Sequence, residues 1–238
     1  MAQRAIREYD AKHLLAEYLR KHKELSYQYP DTMVMVTPEK SLLELAEEYP
    51  WLNKERLVVK PDQLFGKRAK NGLVLVDASL KDADRWIRDR MGTKVTIGST
   101  KGELTHFLVE PFVVHRCEHY LSFSGHKDGD YIYFALNGGV DIESRWSETI
   151  TIDVPILSRI EDVNLTPIMD LVIPKDKTLM KELIITLFHF YSDMHFGSLE
   201  FNPFTIMGYR FYPFDCVARL DDTASYLCSE DWGNIEFP

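Results

Sequence analysis

A two-residue turn signal near the C-terminal end constrains this chain most, because it decides which residues face each other across a hairpin. Gly208-Tyr209 fits a Gly-X loop of type II′ and has apolar runs on both sides. Counting outward from this loop pairs Asn202 with Asp215. The same register pairs Glu200 with Val217. Because strand side chains alternate between faces, Glu200, Asn202 and Asp215 should share one face, with opposed Cβ atoms about 4.5–5.5 Å apart.

The opposite face of this hairpin should be core, since it carries Leu199, Phe201, Phe214 and Cys216. Pro203 and Pro213 flank the polar face, and neither can donate a ladder hydrogen bond. We therefore expect strand pairing to be interrupted beside the polar residues, or these residues to lie at a sheet edge.

The polar face has the chemistry of a hard-cation site. Carboxylate and amide oxygens, without sulfur or imidazole, favour Mg²⁺, which typically takes one or two protein oxygens and keeps its other positions for water and phosphate. Asn202 and Asp215 are the predicted metal ligands, and Glu200 shares their face. The alternative is an ordinary hairpin in which Asn202 and Asp215 only hydrogen-bond to each other.

A second cluster is basic. Lys60 ends an apolar strand, and Lys67, Arg68 and Lys70 follow in a loop that contains Gly66 and Gly72. Cationic side chains and backbone amides in such a loop can hold phosphates, although the sequence is not a Walker A loop. The alternative is a solvated loop tip. Together with a hard-cation cluster, the loop indicates a nucleoside triphosphate with Mg²⁺.

Composition and charge exclude several classes of protein. The 238 residues have a net charge of -9, which argues against a nucleic-acid partner. No apolar run approaches the roughly 20 residues of a membrane span, and the first ten residues lack the apolar stretch of a secretory signal. Three widely spaced cysteines suit a reducing cytoplasm and not a cysteine-rich zinc site. We expect a cytoplasmic protein without a membrane partner.

Helical and strand patterns alternate without a repeat, which predicts an α+β (mixed α/β) fold of two lobes. The predicted helices cover residues 10–21, with Asp10 as N-cap, 38–49, with Pro38 in the first turn, 80–91 and 177–195. The predicted strands cover residues 32–37, 56–60, 72–79 and 106–114, and a hairpin covers 120–136 with its turn near Asp128-Gly129.

Several segments, taken in order, resemble one family. They are "REYDAKHLLAEY" (7–18), "VVKPDQ" (58–63), "GKRAKNG" (66–72), "VEPFV" (109–113), "GGVDIE" (138–143), "LEFNPF" (199–204), "FDCVARLDDTASY" (214–226) and "WGNIEFP" (232–238). Nearly the whole chain resembles the ATP-grasp family in the form found in ATP-citrate lyases, which are related to succinyl-CoA synthetase β subunits. "VVKPDQ" and "WGNIEFP" favour the citrate enzymes.

The resemblance implies a fold and a set of ligand contacts. ATP would lie between two mixed or antiparallel sheets, with residues 21–109 forming a phosphate-side lobe and residues 1–20 and 110–238 an adenine and Mg²⁺ side. The implied ATP contacts are Lys60, Arg68, Ala69, Glu110, Pro111, Phe112, Val113, Glu118 and Asp215. Glu118 would hold the ribose and the stretch 110–113 the adenine. Asn202 and Asp215 would hold Mg²⁺, and Lys67, Glu143 and Glu200 are secondary candidates.

The resemblance also implies an activity shared with a partner. ATP would phosphorylate a histidine on a CoA-ligase-like subunit or domain, and citrate, CoA and ATP would yield acetyl-CoA, oxaloacetate, ADP and phosphate in a hetero-oligomer. Citrate and CoA would bind to regions beyond this sequence. None of the eight histidines lies in a glycine-rich setting like that of the family's phosphohistidine, so no catalytic residue is assigned here.

Three alternatives stay open. The chain could belong to a citryl-CoA synthetase, to a succinate-CoA ligase, or to a nucleotide-binding module without turnover. One departure from the family is Ala69, where relatives often have glycine, because alanine would restrict the loop if a positive φ were required.

Overall fold

A computed structural model describes residues 3–23, 27–98, 100–233, 235 and 237–238. The chain forms two compact units. The larger unit comprises Met1–Pro30 and His115–Phe237, and the smaller unit comprises Asp31–Val114.

Backbone pairing explains where these units divide. Residues 21–30 were assigned to the first lobe, but the Gln28 amide donates to the Tyr209 carbonyl at 2.9 Å, within the larger unit. Residues 110–114 were assigned to the second lobe, but Glu110 pairs with Val58 inside the smaller unit. The assignment of phosphate and adenine roles to the two lobes stays a prediction.

The two units contain these elements in chain order. The strands are β1 (Gln3–Ile6), β2 (Val34–Val36), β3 (Leu57–Pro61), β4 (Leu75–Ala78), β5 (Lys94–Ile97), β6 (Thr100–Glu103), β7 (Phe107–Pro111), β8 (His119–His126), β9 (Gly129–Ala135), β10 (Ile150–Pro155), β11 (Phe196–Met207), β12 (Arg210–Pro213) and β13 (Cys216–Asp221). The helices are α1 (Glu8–Lys21), α2 (Leu42–Glu48), α3 (Leu80–Arg88), α4 (Thr166–Met169), α5 (Lys177–Asp193) and α6 (Ser225–Trp232).

The larger unit is built on a seven-stranded antiparallel sheet. Its order is β1-β13-β11-β8-β9-β10, and β12 also pairs with β11. One face is covered by apolar residues of α1 and α5, such as Leu15 and Leu187, which join Phe123 and Phe201 of the sheet in one core. Strand β11 is an interior strand, so both of its neighbours help to fix the positions of its side chains.

The smaller unit has a four-stranded antiparallel sheet in the order β2-β7-β3-β4 and a separate β5-β6 hairpin. Its core includes Leu52, Leu57, Phe107 and Val109, all fully buried, together with apolar residues of α2 and α3. The antiparallel pairing of the named strands in both units confirms the predicted α+β class.

Most predicted elements are present, but two helix starts were wrong. Helix α2 begins at Leu42, because Ser41 forms a capping box with Glu44, so Pro38 lies outside the helix. Helix α1 begins at Glu8, with the extended Arg7 as its N-cap, so Asp10 lies in the first turn. Within the described residues, no helix is long and apolar enough to cross a membrane.

Candidate functional site

The hairpin register predicted from Gly208-Tyr209 is confirmed. Met207 pairs with Arg210 across the turn between β11 and β12. Further along, Glu200 pairs with Val217 between β11 and β13. Between these ladders, the backbone amide of Asn202 donates to the backbone carbonyl of Asp215 at 3.2 Å. The acid and the amide of β11 therefore lie beside Asp215, as counting along the sequence indicates.

The two prolines lie where the ladder is interrupted: Pro213 ends β12, and the pairing of β11 with β8 shifts register across Pro203, between Phe201 and Phe204. Strand β12 ends at Pro213 and β13 begins at Cys216, so Asp215 lies in the gap between two strands that both pair with β11. The predicted core face is buried at Leu199, Phe201 and Cys216. Phe214 is the exception: it is half-buried, and its ring packs at a tilt against the His115 ring, with 4.3 Å between centroids.

Negative charge accumulates around Glu200. Burial raises the pKa of this carboxyl above its ordinary value, and the nearby Asp215 and Glu143 carboxylates raise it further. Hydrogen bonds from Asn202 and Tyr120 act in the opposite direction and lower the pKa. The sheet register explains the Tyr120 contact, since Glu200 pairs with Ser122 and the Tyr120 hydroxyl lies 2.9 Å from the Ser122 hydroxyl.

Asn202 is held in one orientation by a glycine turn. The Gly139 amide donates to Asn202 Oδ1 at 2.8 Å, which leaves the Asn202 amide nitrogen for Glu200. An amide oxygen has two acceptor positions, so Oδ1 keeps one for another partner.

This donor set fits a divalent hard cation. Its members are carboxylate and amide oxygens, and after burial, the negative charge of Asp215 is one of the causes that raise the pKa of Glu200. Among the described residues, no group of three or more His, Cys, Asp or Glu side chains has the arrangement of a metal site. The fit therefore depends on the amide of Asn202 together with Asp215, the one or two protein oxygens that Mg²⁺ typically takes.

In the smaller unit, Lys60 and Glu110 form a buried ion pair. Lys60 lies opposite Leu108 in the β3–β7 ladder, so Glu110 is its diagonal neighbour on the same face. Lys60 Nζ lies 3.2 Å from Glu110 Oε2, and the two side chains are 4% and 15% exposed. A lysine this deeply buried needs a negative partner, and Glu110 is one such partner.

The basic loop folds back onto β3. Arg68 is buried, and its Nη1 donates to the Pro61 carbonyl at 2.9 Å. The described residues of this loop with left-handed backbones are Lys67 and Gly72, whereas Ala69 begins a 3-10 turn. Ala69 therefore does not have a positive φ, and the alanine at this position is not strained. Lys67 and Ala69 are both exposed.

The predicted adenine stretch forms the end of β7 and the residues after it. Glu110 and Pro111 pair with Val58 and Leu57. The Phe112 amide donates to the Arg56 carbonyl at 2.6 Å, so this donor already has a partner. Pro111, Phe112 and Val113 are half-buried, and their contact with adenine stays a prediction.

Glu118 is fixed from two sides in the larger unit. Its Oε1 lies 2.9 Å from His115 Nε2. Its other carboxylate oxygen lies beside Gly139, where an added Cβ would approach Oε2 to 3.2 Å. The Glu118 carbonyl accepts the Gly138 amide at 2.8 Å. The predicted ribose residue therefore lies next to the turn that orients Asn202.

The sequence did not identify three residues that shape this cluster: His115, Tyr120 and Gly139. Gly138-Gly139 is a recognisable turn signal, but the partners of that turn come from β11 and from the segment before β8, distant in sequence. The secondary candidate Glu143 is exposed in the 3-10 segment that follows the turn.

Comparison with known proteins identifies the family of the chain. The family model for the ATP-citrate synthase ATP-grasp domain matches residues 2–232. ATP-citrate synthase alpha chain protein 2 of Arabidopsis thaliana is 40% identical over the whole chain, which covers 56% of that protein. The chain thus spans about half the length of the curated relatives of this type that it matches.

Two solved structures are also similar over the whole chain. ATP citrate lyase from Methanothrix soehngenii, in complex with citrate and coenzyme A, is 40% identical with a TM-score of 0.86, and the chain covers 56% of it. The Methanosaeta concilii enzyme in complex with (3S)-citryl-CoA is 39% identical with a TM-score of 0.83, and the chain covers 55% of it. Together, the family model and these relatives show that the chain belongs to the ATP-citrate synthase ATP-grasp domain family.

Proposed function

We propose that this chain is the ATP-binding portion of an ATP-citrate lyase. It binds Mg-ATP and presents the γ-phosphate to a histidine on a CoA-ligase-like partner, and the assembled enzyme converts citrate, CoA and ATP to acetyl-CoA, oxaloacetate, ADP and phosphate. The observation that carries the proposal is the pairing of Asn202 with Asp215 beside Glu200, because it gathers oxygen ligands for a nucleotide-bound cation.

The residues of the smaller unit act on the phosphates. Lys60 and Arg68 bring positive charge, and both are buried, so their charges are screened less than those of surface cations. Glu110 holds Lys60 in place before the nucleotide arrives. The backbone from Glu110 to Val113 lines the adenine, and since the Phe112 amide already bonds to Arg56, its neighbours supply the base contacts.

The residues of the larger unit hold the cation and the ribose. Asn202 and Asp215 are the metal ligands, and Glu200 contributes to the electrostatic potential at the cation. Glu118 accepts hydrogen bonds from ribose hydroxyls. When Mg²⁺ is bound, it would neutralise part of the negative charge of the phosphates. The chain contributes positioning and electrostatics, so that the phosphoryl group is aligned for transfer and the protein forms no covalent bond to it.

Several histidines of this chain have hydrogen-bond partners within it, which supports a phosphohistidine on the partner subunit or domain. His119 Nδ1 lies 2.7 Å from the Leu136 carbonyl. His126 and His189 each lie 2.9 Å from a carboxylate, Asp153 and Glu161 respectively. Isotope from γ-labelled ATP should therefore be found on the partner, and stable label on this chain would contradict the proposal.

The test of the site is Asp215→Asn in the assembled enzyme. Loss of an anionic ligand should lower kcat/KM for Mg-ATP by roughly 100-fold or more and raise the Mg²⁺ concentration needed for half activity. Glu148→Gln, an exposed acid of the same unit, is the matched control and should change neither quantity. Full activity of the Asp215 variant would favour a nucleotide-binding module without turnover.

The acyl substrate is tested separately. ATP consumption by the assembled enzyme should depend on citrate and CoA and not on succinate. Dependence on succinate would assign the chain to a succinate-CoA ligase, and release of citryl-CoA without cleavage would assign it to a citryl-CoA synthetase.

A further inference from the structure

The proposed function assigns no role to the contact between His115 and Glu118. The two residues lie three apart, just before β8, and His115 Nε2 is 2.9 Å from Glu118 Oε1. A carboxylate only accepts hydrogen bonds, so Nε2 must carry the proton and donate. The His115 side chain is 23% exposed and that of Glu118 is 43% exposed, so the acid remains open to a ligand while the imidazole is largely covered.

The imidazole is itself held in place. Its ring lies 4.3 Å from the Phe214 ring, with 33° between the ring planes. Phe214 directly precedes Asp215 in the gap between β12 and β13. His115 thus connects the predicted ribose residue to the segment that carries the predicted metal ligand.

The second carboxylate oxygen is positioned by the absence of a side chain. Gly139 has φ +99°, and a Cβ there would lie 3.2 Å from Glu118 Oε2. One oxygen is thus fixed by a donor and the other lies over a bare backbone. A flexible, exposed glutamate would otherwise lose rotational freedom about several bonds on binding a ligand. Because this side chain is already ordered, the entropy that it loses on binding is smaller.

We propose that His115 is a positioning residue that sets the orientation in which Glu118 accepts the ribose hydroxyls, and hence the preference for a ribonucleotide over a deoxyribonucleotide. This inference rests on the proposed function, since it presupposes that Glu118 faces the ribose. A hydrogen bond to a charged acceptor contributes about tenfold or more to binding when its geometry is maintained.

The test measures kcat/KM of the assembled enzyme for ATP, 2′-deoxy-ATP and 3′-deoxy-ATP, with Mg²⁺ saturating. His115→Phe keeps a ring against Phe214 and removes the donor, whereas His115→Gln removes the ring and keeps a donor at a similar distance from the backbone. We expect His115→Phe to reduce the preference for ATP by about tenfold, on the scale of one charge-assisted hydrogen bond. His115→Gln should retain most of the preference.

Two further variants separate positioning from general damage. Glu118→Leu should lose the same preference, and the double variant His115→Phe/Glu118→Leu should lose no more than Glu118→Leu alone, because the histidine acts through the acid. His126→Phe is the matched control. That imidazole also bonds to a carboxylate at 2.9 Å and stacks on a ring, but it lies at the far end of β8, so the preference should not change.

The outcomes distinguish the inference from the proposed function. If His115→Phe keeps the preference while Glu118→Leu loses it, His115 does not position the acid and the inference is wrong, although ATP binding stands. If His115→Phe and His115→Gln lower kcat/KM equally for all three nucleotides, the histidine is structural only, which also overturns it. If the unchanged enzyme does not bind ATP, the proposed function itself fails.

Discussion

Glu200 shows how one residue can lower stability and serve a ligand site. Its pKa is raised by burial and then by Asp215 and Glu143, so its ionised form is disfavoured in the folded protein. A bound cation would reverse this effect, because an opposite charge favours the ionised carboxylate. The same repulsion that opposes folding would therefore strengthen cation binding.

This balance predicts opposite effects for Glu200→Gln. Without metal at neutral pH, the variant should be more stable than the unchanged protein by about 1 kcal/mol, or roughly 3 °C in Tm, because the buried charge is gone. Its affinity for Mg²⁺ should fall. Thermal unfolding with and without Mg²⁺ measures both effects, and a variant that is less stable in the absence of metal would contradict the explanation.

The pH dependence follows from the sign of the shift. Since the folded-state pKa of Glu200 lies above the ordinary value of 4.5, the stability due to this group is fully present below pH 4.5 and is lost as pH rises through the folded-state pKa. Glu200→Gln should remove this contribution, so the stability difference between the two proteins should grow as pH rises from 4.5 to 7. Glu148→Gln should show no such trend.

For single residues, the sequence predicted the contacts that follow from a regular strand register. It did not predict the contacts that depend on the conformation of turns. Asn202 and Asp215 could be paired because the chain segments on either side of the two-residue turn keep one register. The contacts of Gly139 with Asn202 and of His115 with Glu118 depend on loop conformations that the sequence does not determine. Phe214 was misassigned to the core because the ladder breaks at its position.

At the scale of elements, α1 has an unusual buried ion pair. Lys12 Nζ lies 2.7 Å from Glu8 Oε1 one helical turn earlier, and the side chains are 0% and 2% exposed. Helix α1 follows β1 after one residue and packs against β13, the strand that begins just after Asp215. The pair therefore lies within a helix that packs against the strand beginning just after the predicted metal ligand Asp215.

Removing one member of this pair should be far more costly than removing a surface charge. Lys12→Met should destabilise the protein by about 3–5 kcal/mol, because Glu8 keeps a buried charge without that compensation. Lys21→Met is the matched control on the same helix: its pair with Asp231 is 2.9 Å long but more than half exposed, so it should cost less than about 1 kcal/mol. Chemical denaturation measures both, and equal costs would mean that burial is not the cause.

The errors in element boundaries have local causes. A proline in a first helical turn is a good start signal, yet the capping box between Ser41 and Glu44 outweighs it and begins α2 later. Strands β1 and β10, the β5-β6 hairpin, α4 and α6 were not predicted, and β13 was predicted only as far as Val217, through the hairpin register. Strand β13 lies inside the sheet, between β1 and β11. Its exposed Val217 and Arg219 alternate with buried residues, and the charged Arg219 and Asp221 interrupt its apolar run.

At the scale of the whole molecule, the two lobes could be anticipated but their boundaries could not. The composition of the boundary segments 21–30 and 110–114 does not differ from that of their neighbours in a way that marks a boundary. Long-range backbone pairing, such as that of Gln28 with Arg210 of β12, decides to which unit each segment belongs. The two hydrophobic cores are distinct: Leu52 belongs to the core of the smaller unit and Leu187 to that of the larger. Each unit therefore has its own source of stability.

Separate cores predict separable responses to substitution. Leu52 and Leu187 are 0% and 1% exposed, so Leu52→Ala and Leu187→Ala should each cost about 2–5 kcal/mol in the unit that contains the residue. In hydrogen exchange followed by mass spectrometry on the full-length protein, Leu52→Ala should lower protection in β3 and β7 while leaving β8 and β11 protected. Leu187→Ala should do the reverse. Equal loss of protection in all four strands after either change would mean that the units unfold as one cooperative structure.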